Sequence, residues 1–272
     1  MSAEPVQNSE AAAIARAFVS ARLAARCTPD YPGGRIPASM AEGYAVQDLA
    51  IGLFPDEVVG WKVGGVPPAL QEQLGAHRLA GAVFSRNLWS ATGREVVPLP
   101  EIEGGFAAIE SEFVARIAAD AAPGKLDWTL EEARAQIDRI FIGVELAGSP
   151  LSAINDLGPT VVASYFGNNG GLVVGPEIAD WRETLESIKV ETVINGASVG
   201  TGGSASLQGG VFESVRFLLE HCARWGRPLK KGMLVSTGAV TGVHRAHAGD
   251  EAVCIFKGIA EIHCSVVRAE SK

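Results

Sequence analysis

Glu110 and Glu112 stand two residues apart in FAAIESEFVARIA (106–118), a stretch whose positions alternate so that Ile109, Ser111, Phe113, Ala115 and Ile117 share one face. In a strand, residues two apart project from the same side, so both carboxylates point the same way. Like charges at that spacing repel, and burial worsens the penalty unless a cation or a proton joins them. Taken alone, the pair is weak evidence, because strands often carry two acids on a solvated face. Glu145 strengthens the reading: it lies in IFIGVELAG, an apolar run where a charge is out of place without a partner. Three such acids suit a hard cation, and all-oxygen ligation with open positions fits Mg²⁺ or Mn²⁺ better than zinc, which favours His and Cys.

Lys62 sits in GWKVGG, between apolar neighbours. It either snorkels to the surface or lines a pocket, where neighbouring acids keep it charged or desolvation readies it to exchange protons. The glycines of GGLVVG, GTGG and STGAVTG read as turns, since neither GxxxxGK[ST] nor a helix-opening GxGxxG is present. Thr237, before Gly238, can offer a hydroxyl and backbone amides to a carboxylate. His244 and His247 lack HExxH spacing and read as surface histidines on a loop, and no serine occupies a GxSxG elbow.

The surrounding composition bounds the class of protein. The chain has 272 residues, 47% of them hydrophobic, with 32 glycines and a formal net charge of −8. That charge argues against non-specific nucleic-acid binding, and the aromatics are too scattered for a base-stacking platform. The four cysteines show no CxxC spacing, which fits inert thiols in a reducing cytoplasm. The N-terminus lacks a basic region followed by an apolar core, and no apolar run approaches the roughly 20 residues of a membrane span. A soluble cytoplasmic protein is the expectation.

The elements that must position these side chains follow from periodicity. Residues 11–25 read as an amphipathic helix, and Ser39 as the cap of a second one carrying Tyr44, Val46 and Leu49. VVGWKVGG reads as a strand, and PALQEQLG as a short helix stopped by Gly75. Thr129 and Glu132 form a capping box, and Val211 to Trp225 is a helix ended by Gly226. Strands are expected at 139–146, 160–165, 171–174, 189–194, 232–236 and 252–267. The fold class is α+β: a small helical N-terminal lobe over residues 1–55 and a strand-dominated body over 56–272.

Taken in order, Tyr44-Ala-Val-Gln47, GWKVGG followed by PALQEQLG, IESEF, VEL, FGNNGGLVVG and GRPLKKGMLVSTGAVTG resemble the 2-oxopent-4-enoate hydratase and 4-oxalocrotonate decarboxylase family of the fumarylacetoacetate hydrolase superfamily. The match runs from around Met40 to the C-terminus. It implies a mixed β-sandwich roll, a Mg²⁺ or Mn²⁺ ion on Glu110, Glu112 and Glu145, a pocket lysine at Lys62, and a homo-oligomer. Thr237, Tyr165 and Asn168 then stand where substrate is held. Two departures matter. An Asp-Phe-Gly common in the hydratases is replaced in LGAHRLAGAVF, where Ala80 precedes Gly81, and Tyr165 stands in place of an acid. The resemblance implies a metal-dependent lyase on a small 2-oxo acid, first a hydratase adding water to a 2-oxo-4-enoate. A 2-oxo-3-enedioate decarboxylase, an acylpyruvate-type C–C hydrolase and a catalytically silent 2-oxo-acid binding protein stay open.

Overall fold

The computed structural model describes residues 4–93 and 95–271. Two helices come first, α1 (Glu4–Leu23) and α2 (Met40–Leu53), and Ser39 caps α2 by accepting from the Glu42 amide. The body then runs β1 (Val58–Gly65), α3 (Pro68–Leu74), β2 (Arg78–Phe84), β3 (Leu88–Ser90), β4 (Val96–Glu101), β5 (Phe106–Ile117), α4 (Leu130–Ala135) and β6 (Ile137–Ser149). It continues through α5 (Pro159–Ser164), β7 (Asn169–Glu177), α6 (Trp181–Thr184), β8 (Val190–Ile194), β9 (Ala197–Gly202) and α7 (Gly210–Arg224). The last strands are β10 (Leu234–Ser236), β11 (His244–Arg245), β12 (Glu251–Phe256) and β13 (Ala260–Arg268).

These strands make two sheets, an α+β arrangement as the sequence implies. The larger has the order β2-β1-β10-β5-β6-β7-β3, with β11 pairing beside β5, and the smaller the order β4-β13-β12-β8-β9. Alternation on β5 decides how they stack. Ser111 bonds to Thr192 of β8 at 2.7 Å, and Phe113 meets Phe256 of β12 edge-on at 5.8 Å, so this face of β5 builds the core between the sheets. Glu110 and Glu112 therefore face the other way. Ile14 and Phe18 of α1 and Tyr44 of α2 belong to the same hydrophobic cluster as Phe113 and Phe256.

The Tyr44–Gln47 pair has a structural task. The Ala80 amide donates to the Tyr44 hydroxyl (3.1 Å), while Gln47 Nε2 donates to the carbonyls of Ala80 (3.1 Å) and Ala163 (2.6 Å). Edge strand β2 is thereby tied to α2 and α5. On its other side β2 touches the 166–168 turn, where a Cβ on Gly81 would lie 1.9 Å from the Phe166 carbonyl oxygen.

Several expectations need correction. Residues 160–165, read as a strand, form helix α5. Pro159 fits the first helical turn, and packing against α2 overrides the β-branched Thr160, Val161 and Val162. The glycines of GGLVVG, read as turns, lie in β7, which contains the strand expected at 171–174, and GTGG up to Gly202 lies in β9. In β7 the reason is close approach, since a Cβ on Gly171 would meet the Trp89 ring at 2.2 Å. The run 252–267 is a hairpin, β12 and β13, divided at Gly258. Among the described residues, no helix is long and apolar enough to cross a membrane.

Two outcomes test this packing. Gly81→Ala is expected to destabilise the fold by more than about 3 kcal/mol, because backbone, not a flexible side chain, blocks the new methyl. An unchanged urea midpoint would mean that β2 and the turn are not in contact. His221 of α7 is buried against Tyr44 (4.4 Å), Phe217 and Trp225. Burial, aided by nearby Arg224, lowers its pKa to about 4. Between that value and about 6.5 the unfolded chain binds the extra proton. The neutral ring's stabilisation, at most about 3 kcal/mol, is thus complete above pH ~6.5 and lost as pH falls toward 4. His221→Phe should flatten this part of the stability curve, measured as urea midpoints at both ends of that window.

Candidate metal and substrate site

Antiparallel pairing of β5 and β6 sets Glu110 directly opposite Glu145, with Glu112 two residues along the same face. All three are buried, and each offers an oxygen such that the three lie within 4.8 Å of one another. Their donors come from loops and neighbouring strands. Glu112 Oε2 accepts from Ser236 Oγ (2.6 Å) and the Gly238 amide (2.8 Å), while its Oε1 meets no hydrogen-bond donor among the described residues. Glu145 Oε1 accepts from Asn169 Nδ2 at 2.8 Å. Lys62 of β1 places Nζ 3.2 Å from Glu145 Oε2.

The electrostatics follow from burying like charges together. Burial pushes the Glu110 carboxyl up to about 8; Lys62 opposes this and Glu145 adds to it. Glu112 is raised well above the usual carboxylate range by burial and by Glu145 and Glu110. Burial works against the charge on Lys62, but Glu145, Glu110 and Glu112 outweigh it and keep the ammonium protonated. Three ionised carboxylates against one ammonium leave two negative charges, which a divalent cation balances. An all-oxygen set with a buried, unengaged Glu112 oxygen fits Mg²⁺ or Mn²⁺. Among the described residues, no other group of three or more His, Cys, Asp or Glu side chains is so arranged.

Beside the cluster lies a cavity of ≈ 500 Å³, lined by Lys62, Glu110, Asn168, Thr237 and Gly238 among others. Asn168 donates to Asn155 (3.3 Å) and keeps a buried carbonyl oxygen without a partner among the described residues. Thr237 lines the wall, with its hydroxyl donating to the Phe113 carbonyl at 2.8 Å. The structure does not bring Tyr165 to this cavity. Its ring packs on Phe18 (4.6 Å) and Phe166 (5.3 Å) and borders a separate cavity of ≈ 280 Å³ with Arg22 and Phe54. The turn at Phe166-Gly167-Asn168, all at positive φ, sends the two neighbouring polar residues to opposite sides.

His244 and His247 stay apart from the cluster, bonded to the Thr241 carbonyl and to Glu101. Ala80 is fully buried, and Leu79 lines the cavity instead, so β2 offers it no carboxyl group. Sequence reasoning missed Ser236 and Asn169, which hold two of the three carboxylates. Their only signal is adjacency to Thr237 and Asn168.

Glu112→Gln keeps the acceptor for Ser236 and Gly238 but removes one charge. Calorimetric titration with Mn²⁺ should show affinity falling by at least about 100-fold, beyond the loss typical of an outer-shell partner. Burial and its carboxylate neighbours raise Glu112, so its protonated form stabilises the metal-free protein at acid pH, and that stability is lost as pH rises. The metal-free variant should therefore melt higher than wild type at pH 8. Equal Mn²⁺ affinity in both proteins would remove Glu112 from the ligand set.

The model described as fumarylacetoacetate (FAA) hydrolase C-terminal matches residues 68–267. Curated relatives include the 2-keto-4-pentenoate hydratase of Paraburkholderia xenovorans (strain LB400) and 2-keto-4-pentenoate hydratase 3 of Pseudomonas putida. Each is 25% identical over 264 residues, covering 95% of this chain and 94% of the relative. Among solved structures, 4-oxalocrotonate decarboxylase from Pseudomonas putida G7, complexed with magnesium and adipate, superposes with a TM-score of 0.78 at 21% identity. That match covers 95% of this chain and 98% of the other. Fumarylpyruvate hydrolase from Pseudomonas aeruginosa, in complex with Mn²⁺ and pyruvate, gives 0.58 at 18% identity over 79% of this chain and 91% of that one. At these identities the structural likeness establishes the fold.

Proposed function

We propose that this chain, which belongs to the fumarylacetoacetate hydrolase family, is a Mg²⁺- or Mn²⁺-dependent hydro-lyase that adds water to a 2-oxo-4-enoate. The observation that carries the reading is the convergence of three buried carboxylates within 4.8 Å of one another beside a cavity that Glu110 and Lys62 line. The two curated relatives named as hydratases, matched along nearly their whole length, support the choice of reaction.

A divalent cation held by Glu110, Glu112 and Glu145 would supply Lewis acidity and a template for a 2-oxo acid. The chain's own groups do the rest. Lys62 carries a proton at Nζ on the cavity side of Glu145, where it can donate to the substrate's 2-oxygen and exchange a proton as the enolate develops. Asn168 Oδ1 and the Thr237–Gly238 wall orient the substrate, and apolar Leu79, Val162 and Leu207 exclude water from its far side.

One observation favours a second reading, loss of CO₂ from a 2-oxo-3-enedioate. Among the described residues, the only carboxyl group lining the cavity is Glu110, so no separate acid stands ready to activate water. Decarboxylation needs the same electron sink and one returning proton, which Lys62 can deliver.

The test is a screen of 2-hydroxydienoates, enedioates and acylpyruvates with Mn²⁺, followed by ultraviolet absorbance and product analysis. Hydration yields one acid, decarboxylation releases CO₂, and C–C cleavage gives two acids. Lys62→Met should lower kcat by about 100-fold or more while Mn²⁺ binding persists. Turnover that survives chelation and dialysis would overturn the proposal.

A further inference from the structure

Arg78 opens β2 and lines the same cavity as Lys62 and Glu110. Its side chain is 10% exposed, and its ionic contact is with Glu213 of α7 at 3.8 Å. That carboxylate is already engaged. Arg216 sets Nε 2.8 Å from one Glu213 oxygen and a terminal nitrogen 2.6 Å from the other. Glu213 thus closes a two-point fork with Arg216 and leaves Arg78 a long, one-point contact. A guanidinium presents five donors in a plane, and a largely buried one with so little to bind is costly unless something else fills it.

Strand register places this group relative to the carboxylates. β1 and β2 pair with Lys62 opposite Gly81 and Gly65 opposite Arg78. Three residues separate the two levels, roughly 10 Å at about 3.3 Å per residue. Leu79, Val162 and Leu207 form apolar wall. The neighbouring His77 is exposed and bonded through Nδ1 to Gln71, so Arg78 is the fixed cation away from the cluster. The cavity therefore has an anionic end that suits a metal, apolar wall, and a guanidinium on the α7 side.

We infer that Arg78 binds a second, distal carboxylate, so that the preferred ligand is a 2-oxo dicarboxylate and not a 2-oxo monocarboxylate. The inference rests on the reading above, in which the 2-oxo acid end is held at Glu110, Glu112 and Glu145. A planar fork matches a carboxylate with two parallel hydrogen bonds, and the apolar wall rewards the carbon chain between the two ends.

The experiment compares 2-oxohexanoate with 2-oxoadipate, which share a chain length and differ in the terminal carboxylate. Calorimetry on the Mn²⁺-loaded wild-type protein should show 2-oxoadipate binding roughly 10- to 100-fold tighter, the range of a charge-assisted hydrogen bond. Arg78→Gln should reduce that preference to within about twofold. Equal binding of both acids to wild type, or an undiminished preference in Arg78→Gln, overturns the inference while leaving the metal reading intact. Binding of both probes that is indifferent to Mn²⁺ removes the metal reading and this inference with it. Should Arg78→Gln fail to fold, Arg78→Lys keeps the charge facing Glu213 but loses the fork, and a full wild-type preference there is equally fatal.

Discussion

Repulsion among three carboxylates is the constraint around which this protein is built. At separations near 4.8 Å, each ionised pair costs about 3 kcal/mol at an effective dielectric of about 20. Three such pairs approach the net stability of an ordinary domain, about 5–15 kcal/mol. Strand pairing leaves no escape, because Glu110 and Glu145 are directly opposed and Glu112 shares their face. The metal-free chain can relieve the strain only by keeping protons, and the upward shifts of Glu110 and Glu112 express this. A divalent cation relieves it without them. Lys62 alone is insufficient, since one ammonium leaves two charges uncompensated.

The groups that hold the acids in place come from segments far apart in the chain. Ser236 ends β10 and Gly238 follows it, and Asn169 opens β7. Asn169 is itself anchored from the N-terminal helix, where Arg22 donates to the carbonyls of Asn169 (2.6 Å) and Gly170 (3.2 Å). The Arg22 guanidinium lies 5.4–5.9 Å from the ring centroids of Phe54, Phe84 and Phe166, close enough for cation–π attraction. Helix α1 therefore reaches Glu145 through one arginine and one asparagine, although none of its described residues lines the cavity.

How much of this could be read from sequence depends on whether the signal is local. Two-residue alternation put Glu110 and Glu112 on one face, and the apolar run around Glu145 marked that acid as needing a partner. Ser39, Gly75 and the Thr129–Glu132 box were legible because caps are short-range chemistry. Helix α5 was not legible, because its β-branched residues are helical only through tertiary packing against α2. Strand β4 hides behind Pro98 and Pro100, and β9 behind its glycines. Tyr165 and Asn168 were inseparable in sequence, three residues apart in one motif. Only the left-handed turn between them shows that one enters the cavity and the other the core.

The same contrast bears on where reaction choice resides. On the proposed reading the carboxylates, their donors and Lys62 would prepare one electrophile, a 2-oxo acid, and this equipment would serve addition of water, loss of CO₂ and C–C cleavage alike. Discrimination must come from the wall. On β2, Ala80 is turned into the packing under Tyr44 and Gln47, which bind both of its backbone polar groups. An acid at that position would be buried against α2, away from the cavity. Leu79 lines the cavity with an apolar side chain, and Gly81 is kept from carrying a side chain by the Phe166 carbonyl. On that reading the fold fixes which chemistry is available at Lys62, while a few residues along the edge strand would decide what reaches it and what proton donors it meets.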